Sequence, residues 1–259
     1  LHRELVMNMF FYTVLRKKLI LDSLKVILTK YRSAREMYNV IKPAQWQDEK
    51  ERFSYSHFNR YLKGEIPIPD TKEDVFIRFL HNNFNLALDL VEPNIDIDLH
   101  STPIQIDISR LLSYPDLVNL LTFHVINQDH LKGKFDIILT HSEAIPLAVS
   151  FSQSLQIPWV SVTFRSPPVH SSKIQQVPYS IDQELIATAY FYNDQSLLNK
   201  EVLVITDYIR RGGFLDILFR VAEDNNSSVQ FLFAVIGIGR AYRRFNDELE
   251  GNMRVVHLV

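Results

Sequence analysis

The stretch Val202–Leu215, which reads VLVITDYIRRGGFL, decides the fold of this chain. An apolar run of strand length ends at Thr206 and Asp207, and the pair Gly212 and Gly213 then precedes a second apolar run. A buried strand, a short loop with glycines and a helix are typical of a parallel α/β sheet. Backbone amides at the start of such a helix bind phosphate, and glycines let it approach closely. Many α/β proteins need the same turn for packing alone, so the pattern fits a ligand site or a structural turn.

Apolar runs of strand length alternate with helical stretches on both sides of this segment. We predict strands at Phe135–Leu139, Trp159–Phe164, Leu185–Tyr192, Glu201–Ile205 and Val229–Ile236, and helices at Pro146–Leu155 and Phe214–Ala222. The alternation predicts a parallel sheet whose strand-end loops share one edge, where ligands of such sheets bind. Asp89–Ile108, which combines prolines with alternating Ile-Asp pairs, is predicted to be a linker that leads into an edge strand.

The first 85 or so residues have helical periodicity instead. We predict helices from Leu21 to near Lys30, from Ser33 to Pro43, over Ser54–Leu62 and from Thr71, as its cap, to Leu80. Ser33 and Glu36 have the spacing of a capping box, Pro43 is predicted to stop that helix, and Gly64 is predicted to close the third. The charged segment Trp46–Arg52 fits either a helix or a loop.

Composition excludes several classes of protein. With 259 residues, 46% hydrophobic and 22% charged, the chain is long enough for one large or two modest domains and is not disordered throughout. No apolar run approaches about 18 residues, so no membrane span is expected. Arg16, Lys17 and Lys18 follow the apolar stretch Leu5–Leu15 where a signal peptide would have a cleavage site. The absence of cysteine excludes disulfides and thiolate metal sites and fits a reducing cytosol, so we expect a cytoplasmic protein.

Charge is distributed unevenly along the chain. Residues 1–83 contain 15 Lys+Arg and 10 Asp+Glu, which gives +5, whereas the whole chain has a net charge of −2. Such an asymmetry favours a module that faces nucleic acid attached to something else, although a chance distribution of surface charge would give the same numbers.

The segment Ser54–Pro67, SYSHFNRYLKGEIP, is the second informative stretch. Phe58, Tyr61 and Leu62 can pack on one side of the predicted helix. The polar residues that remain are Tyr55, Ser56, His57, Asn59, Arg60 and Lys63. A recognition helix needs this combination of polar tips for base edges and cations for phosphates, but an ordinary amphipathic helix with a glycine cap would also have it.

This segment resembles the recognition helix of the helix-turn-helix in archaeal regulators that are fused to phosphoribosyltransferase-like domains. Lys25–Ile41 resembles the two helices before it. The additional segment from Lys42 to Arg52 departs from the pattern and is compatible with a winged or extended variant. The resemblance implies that the six polar residues of the helix contact double-stranded DNA.

The C-terminal part resembles the type I phosphoribosyltransferases, in the branch of the xanthine enzymes and the purine repressor. The parts that carry the resemblance are Asp136–Ala148 for the second strand and pyrophosphate loop, Ile157–Val162 for the third strand, Ser166–Ser180 for the mobile loop, Val202–Leu215 for the ribose-phosphate motif and Ala234–Gly239 for the strand after it. The order of these parts, over residues 85–259, makes the resemblance specific. It implies a ligand and phosphate site formed by Thr140, His141, Ser142, Arg165, Thr206, Asp207, Arg210, Arg211, Gly212, Gly213 and Phe214. His141 fits a core or surface role as well, since the nine histidines have no metal-ligand spacing.

Three departures from the family pattern affect the expected chemistry. Thr206 replaces one of the two acids that hold the ribose hydroxyls, and Phe214 replaces a phosphate-binding hydroxyl. The loop Thr140–Ala144 lacks the glycines that let pyrophosphate approach the backbone. Arg210 and Arg211 offer charge-assisted hydrogen bonds to phosphate in their place. Because transferase chemistry needs strict positioning, we expect no substantial phosphoribosyltransferase activity and no catalytic residue.

The sequence therefore predicts two domains, a helix-turn-helix DNA-binding domain over residues 1–84 and an α/β phosphoribosyltransferase-like ligand-binding domain over residues 85–259. The favoured function is a homodimeric transcription regulator that senses phosphoribosyl pyrophosphate, a purine nucleotide or an alarmone. Mg²⁺ is expected only as a companion of phosphoribosyl pyrophosphate, and no metal site of the protein's own is predicted. The alternatives are an active purine-type phosphoribosyltransferase with an N-terminal accessory domain, and a dimerisation scaffold whose pocket binds nothing.

Overall fold

The computed structural model describes residues 16–45, 49–98, 105–126, 134–165, 174–180, 186–192, 196–209, 213–250 and 252–258. The chain divides into two compact units, residues 1–129 and 130–259. The predicted boundary lies earlier, between residues 84 and 85. The helices that follow residue 85, up to Ile126, belong to the first compact unit.

The first unit is mostly helical. Its described elements are α1 (residues 16–28), α2 (Ala34–Gln45), α3 (Tyr55–Leu62), α4 (Asp70–Asn82), α5 (Phe84–Val91), β1 (Asp96–Asp98), β2 (Gln105–Asp107), α6 (Ser109–Leu112) and α7 (Pro115–Ile126). The predicted capping box at α2 is confirmed, except that the Glu36 carboxylate accepts the amide of Arg32 and not that of the cap residue Ser33. The Ser33 hydroxyl accepts the Glu36 amide at 3.2 Å, and the Glu36 carboxylate accepts the Arg32 amide at 2.7 Å.

Three expectations for this unit are wrong in detail. Pro43 does not stop α2, which continues for two more residues to Gln45; the proline removes only its own N–H donor and leaves the amides of the residues after it free to bond. Thr71 does not cap α4, which begins at Asp70 directly after the extended residue Pro69. The described parts of Asp89–Ile108 are not a linker, since they hold the end of α5 and the strands β1 and β2, which pair antiparallel.

A cluster of aromatic rings fixes the position of α3. Phe58 is completely buried on the inner side of the helix, with its ring centre 5.8 Å from that of Tyr38 and 6.1 Å from that of Phe76. The ring centre of Phe53 lies 5.1 Å from that of Phe76, and the backbone carbonyl of Phe53 accepts a hydrogen bond from the Tyr38 hydroxyl at 2.9 Å. Within Trp46–Arg52 the structure describes a short 3-10 helix at Glu49–Glu51, while residues 46–48 lie outside the described residues.

The second unit contains a seven-stranded sheet in the order β5-β6-β4-β3-β7-β8-β9. Its strands are β3 (Ile137–His141), β4 (Trp159–Thr163), β5 (Ile174–Ser180), β6 (Ile186–Tyr192), β7 (Glu201–Ile209), β8 (Ser228–Gly237) and β9 (Met253–Leu258). The pairs from β4 to β9 are parallel, and β6 and β5 add antiparallel strands at one edge. Helices α8 (Ile145–Leu155), α9 (Gly213–Asp224) and α10 (Gly239–Glu248) complete the unit. The predicted α/β class with a mostly parallel sheet is confirmed.

The predicted loop over the site is partly a strand. Ile174–Ser180 forms β5 and pairs with β6, while residues 166–173 of the predicted loop lie outside the described residues. The central strands β3, β7 and β8 are buried on both faces, which explains why their sequences are continuous apolar runs. Among the described residues, no helix is long and apolar enough to cross a membrane.

Candidate functional site

The carboxyl ends of β3 and β7 meet at the centre of the sheet. The parallel register pairs Thr140 with Ile205, so the next residues along the two strands, His141 and Thr206, lie side by side. The Thr140 hydroxyl donates to the Ile205 carbonyl at 2.8 Å and is fully buried. Thr140 therefore ties the two strands together and does not reach solvent, and His141 is the last residue of β3.

His141 is held on both sides by carboxylates. Its Nε2 lies 3.0 Å from Asp207 Oδ1 and 3.0 Å from Thr206 Oγ1, and its Nδ1 lies 2.9 Å from Glu143 Oε2. The residue is only 2% exposed. Burial by itself lowers the pKa of His141, but hydrogen bonds to Asp207 and Glu143 outweigh it and raise the pKa to about 9. At neutral pH the imidazole is therefore charged and donates from both nitrogens.

Glu143 and Ser142 form the turn that follows β3, a short 3-10 helix at Ser142–Ala144. The Ser142 hydroxyl donates to Glu143 Oε2 at 2.7 Å, so this oxygen accepts from serine and histidine together. The hydrogen bond from His141 lowers the pKa of Glu143 to about 2 despite partial burial, and Ser142 adds to the effect. One imidazolium and two carboxylates leave the cluster of His141, Glu143 and Asp207 with net negative charge.

Asp207 is engaged by groups of its own chain. Its Oδ1 accepts the Tyr208 amide at 2.8 Å in addition to the bond from His141, and the Thr206 hydroxyl lies 3.3 Å away. The residue is 6% exposed. This acid therefore holds the histidine and the strand end in place.

Two aromatic rings border the cluster. Phe214, in the first turn of α9, is 38% exposed, and its ring centre lies 4.5 Å from that of Phe164 just beyond β4. Phe214 is also nearly parallel to the His141 ring, at 19° and 6.1 Å between centres. The position at which the family pattern has a hydroxyl thus presents an apolar ring.

The structure brings His141, Ser142, Thr206, Asp207 and Phe214 of the predicted site together. Arg165 is exposed beyond β4, where its amide donates to the Thr163 hydroxyl at 3.2 Å. Gly213 is the first residue of α9, and the predicted site residues Arg210, Arg211 and Gly212 lie outside the described residues.

Sequence reasoning missed Glu143 and Phe164 as members of this site. Glu143 follows His141 by two residues in the sequence, and an acid at that distance from a histidine at the end of a strand could have predicted their ion pair. Phe164 gives no comparable signal, since its contact with Phe214 depends on the order of strands in the sheet.

Helix α3 presents the polar residues that were predicted to contact DNA. The Ser54 hydroxyl caps the helix by accepting the His57 amide at 3.2 Å. Ser56, His57, Arg60 and Lys63 are exposed, while Tyr55 and Asn59 are half-buried. The Glu65 carboxylate lies 3.5 Å from Arg60 Nε and 4.0 Å from Lys63 Nζ. The exposed side of the helix is therefore polar and basic, with one nearby acid.

No group of three or more histidine, aspartate or glutamate side chains is placed to hold a metal ion in the described part of the chain. In the cluster around His141, the histidine is itself the charged partner of both acids.

Comparison with known proteins shows similarity in structure only. No family model and no curated protein sequence matches this chain. It is similar to the solved adenine phosphoribosyltransferase of Thermoanaerobacter pseudethanolicus, with a TM-score of 0.55 and 15% identity over 66% of this chain and 99% of that one. It is also similar to the Giardia lamblia enzyme complexed with 9-deazaadenine, with a TM-score of 0.55 and 13% identity over 66% and 97% of the two chains. It is similar as well to the Leishmania donovani adenine phosphoribosyltransferase, with a TM-score of 0.56 and 12% identity over 68% of this chain and 81% of that one.

These similarities show that the chain contains the type I phosphoribosyltransferase fold, which confirms that part of the prediction. Residues 130–259 make up about half of the chain, so a match over 66% of it also includes residues before 130.

Proposed function

We propose that this protein is a DNA-binding transcription regulator whose phosphoribosyltransferase-like part senses a phosphorylated small molecule. The observation that carries the proposal is the engagement of Asp207 by His141 and by the Tyr208 amide. By resemblance, an acid at this position holds the ribose hydroxyls of a transferase substrate. An acid that is 6% exposed and bonded to an imidazolium is poorly placed for that task, and its neighbour is Thr206 instead of a second acid. This arrangement on a retained fold supports binding of a ligand over its chemical conversion.

The phosphate of the ligand is proposed to bind at the start of α9. Gly213 begins this helix of 12 residues, and helix N-termini attract anions through free amides and the helix dipole. Arg210 and Arg211 precede it in sequence and supply two cations for charge-assisted hydrogen bonds. Phosphoribosyl pyrophosphate, a purine nucleotide and an alarmone all carry the required group, and Mg²⁺ would accompany the first.

The DNA-binding part of the proposal is supported by α3. Its inner side is fixed by Phe58 in the aromatic cluster, while Arg60 and Lys63 are exposed on the outside. Residues 1–83 have a net charge of +5, the sign needed for a phosphate backbone. A homodimer would place two such helices about 34–36 Å apart on a near-palindromic operator.

The regulator is tested with the full chain and a library of random duplex DNA at low salt. Selection is repeated with phosphoribosyl pyrophosphate, adenosine and guanosine monophosphates and a guanosine tetraphosphate alarmone. Because coupling between two sites is reciprocal, a ligand that changes DNA affinity must have its own affinity changed by DNA to the same extent. Absence of DNA binding with and without every ligand would show the regulator proposal to be wrong.

The ligand site is tested by calorimetry on Arg210→Ala with Arg211→Ala. Each charged hydrogen bond to phosphate that is lost costs about 1.5–3 kcal/mol, so the double variant should bind the phosphorylated ligand much more weakly. Arg220→Ala with Arg243→Ala removes two exposed arginines elsewhere in the second unit and is the matched control. If no phosphorylated compound binds the wild-type chain, the site is inactive and the scaffold alternative is correct.

An active purine-type phosphoribosyltransferase with an N-terminal accessory domain is the second candidate. Similarity to solved adenine phosphoribosyltransferases favours it. Release of pyrophosphate from phosphoribosyl pyrophosphate and Mg²⁺ is measured with adenine, hypoxanthine, guanine and xanthine in turn. Turnover near the typical ~10 per second with any base would establish the enzyme, and background rates with all of them support the regulator.

A further inference from the structure

The turn after β3 holds two donors that suit an anion and aims both at one oxygen of its own chain. His141 Nδ1 and Ser142 Oγ lie 2.9 Å and 2.7 Å from Glu143 Oε2. A charged imidazole and a hydroxyl are ordinary donors to phosphate oxygens as well as to carboxylates. The anion that this turn can bind is thus already present as a side chain.

We infer that Glu143 determines the ligand specificity of the site, because its carboxylate occupies the anion position of this turn and excludes free phosphate or pyrophosphate from it. The inference rests on the proposed function in placing a ligand at this edge of the sheet. It goes beyond that function in one respect: a phosphorylated ligand does not bind at the turn Ser142–Ala144, and Glu143 is the residue that prevents it.

Burial and exposure show how the exclusion works. The His141 side chain is 2% exposed, whereas the Glu143 side chain is 60% exposed. The Glu143 side chain therefore borders on solvent and, through Oε2, on His141 Nδ1. Removal of this carboxylate opens that position to a dissolved anion, while its presence repels one.

Asp207 remains as a carboxylate partner of the imidazole when Glu143 is removed. It lies 3.0 Å from the opposite nitrogen, Nε2, and its Oδ1 also accepts the Tyr208 amide within its own strand. Thr206 faces the same nitrogen, and the rings of Phe164 and Phe214 lie beside the imidazole without adding charge. We therefore expect a variant without Glu143 to keep a protonated Nδ1 donor, and the cluster to change from net negative to neutral.

The test is titration calorimetry of the full chain with inorganic pyrophosphate, and separately with inorganic phosphate, at pH 7. Glu143→Ala is expected to bind pyrophosphate on the order of tenfold more tightly than the wild type, since a charged donor gains an external acceptor. Glu143→Gln is expected to show a smaller gain, because its amide oxygen still accepts from His141. Glu223→Ala removes the same charge from an exposed position on α9 and should bind like the wild type.

A double variant, Glu143→Ala with His141→Gln, separates the specific effect from a general change in charge. It should lose most of the gained affinity, because glutamine still has an N–H donor but lacks the positive charge with which the imidazolium attracts pyrophosphate. Thermal unfolding confirms that each variant is folded, and Glu143→Gln, which keeps the side-chain volume, decides the question if Glu143→Ala does not fold.

Equal pyrophosphate affinity in the wild type, Glu143→Gln and Glu143→Ala would overturn the inference, as would an equal gain in Glu223→Ala. The measurement involves no DNA and no nucleotide. A protein that fails to bind DNA but gains pyrophosphate binding in Glu143→Ala would contradict the regulator and still support the role of Glu143.

Discussion

The imidazole of His141 at the end of β3 lies 3.0 Å from the carboxylate of Asp207 on the neighbouring strand β7. This pair joins the carboxyl-terminal parts of two neighbouring strands, which lie next to the segments predicted to bind the phosphates of a ligand. Because a residue of β3 is hydrogen-bonded to a residue of β7, this edge of the sheet is held together by its own side chains. The consequences of this bond can be measured without knowledge of the ligand.

The stability of the protein should depend on pH through His141. Its pKa is raised from 6.5 to about 9 on folding, so its contribution is fully present below pH 6.5 and is lost as the pH rises through about 9. At about 1.4 kcal/mol per pH unit, the loss is on the order of 3 kcal/mol. Urea unfolding between pH 6 and pH 10 measures it as a falling free energy of unfolding.

His141→Gln provides the comparison, since other groups also titrate in this range. The difference in unfolding free energy between the wild type and His141→Gln should shrink as the pH rises from 6.5 to 9. A constant difference over this interval would contradict the charged state assigned to the imidazole.

Phe58 should contribute strongly to the stability of the first unit. It is fully buried within the aromatic cluster, and Phe→Ala at such positions costs about 3–5 kcal/mol through lost burial and a residual cavity. Chemical unfolding of Phe58→Ala followed by circular dichroism measures the loss. Val40→Ala, at an exposed position on α2, should change stability by less than about 0.5 kcal/mol.

Gly64 should resist substitution for a backbone reason. Its φ is +70°, in the left-handed region that ends α3, and a Cβ at this position would meet no atom within 4 Å. Gly64→Ala should therefore cost about 1–2 kcal/mol from backbone conformation alone. Lys63→Ala, one residue earlier in a right-handed conformation, should cost less, and an equal loss in both variants would exclude this explanation.

The elements that the sequence predicts well are those whose pattern is local. Val202–Leu215 is confirmed as a strand that leads to a helix, because its apolar run is buried on both faces in β7. Ser54–Leu62 is confirmed as a capped helix, because its serine, its apolar spacing and Gly64 all act within a few residues.

The features that escaped prediction depend on tertiary context. Helix α7 (Pro115–Ile126) is buried on nearly all sides, so it lacks the polar face that identifies a helix in sequence. Strand β5 includes Pro178, which suggested a loop but is tolerated because β5 lies at the sheet edge. The bond between His141 and Asp207 requires β3 and β7 to be neighbours, and strand order is a long-range property that local patterns do not contain.

DNA binding, if α3 lies in the major groove, should respond differently to two of its residues. Lys63 lies at the end of the helix, where it is exposed and suited to a phosphate, so Lys63→Gln should weaken binding to all sequences alike. Loss of one phosphate contact reduces the slope of log affinity against log salt by about 0.9. Asn59, half-buried on the helix, is suited to a base edge, so Asn59→Ala should cost about 1–3 kcal/mol and relax specificity at one position.

The salt dependence of DNA affinity, measured by fluorescence anisotropy on the selected operator and on an unrelated duplex, distinguishes the two effects. Lys134→Gln, an exposed lysine of the second unit, is the matched control and should leave the slope unchanged. Glu65 lies within 4.0 Å of Lys63 and would compete with the phosphate for it, so Glu65→Gln should strengthen binding to both duplexes. Identical slopes for the wild type and Lys63→Gln would place DNA on another surface, because a lysine that contacts phosphate necessarily changes the number of counterions released.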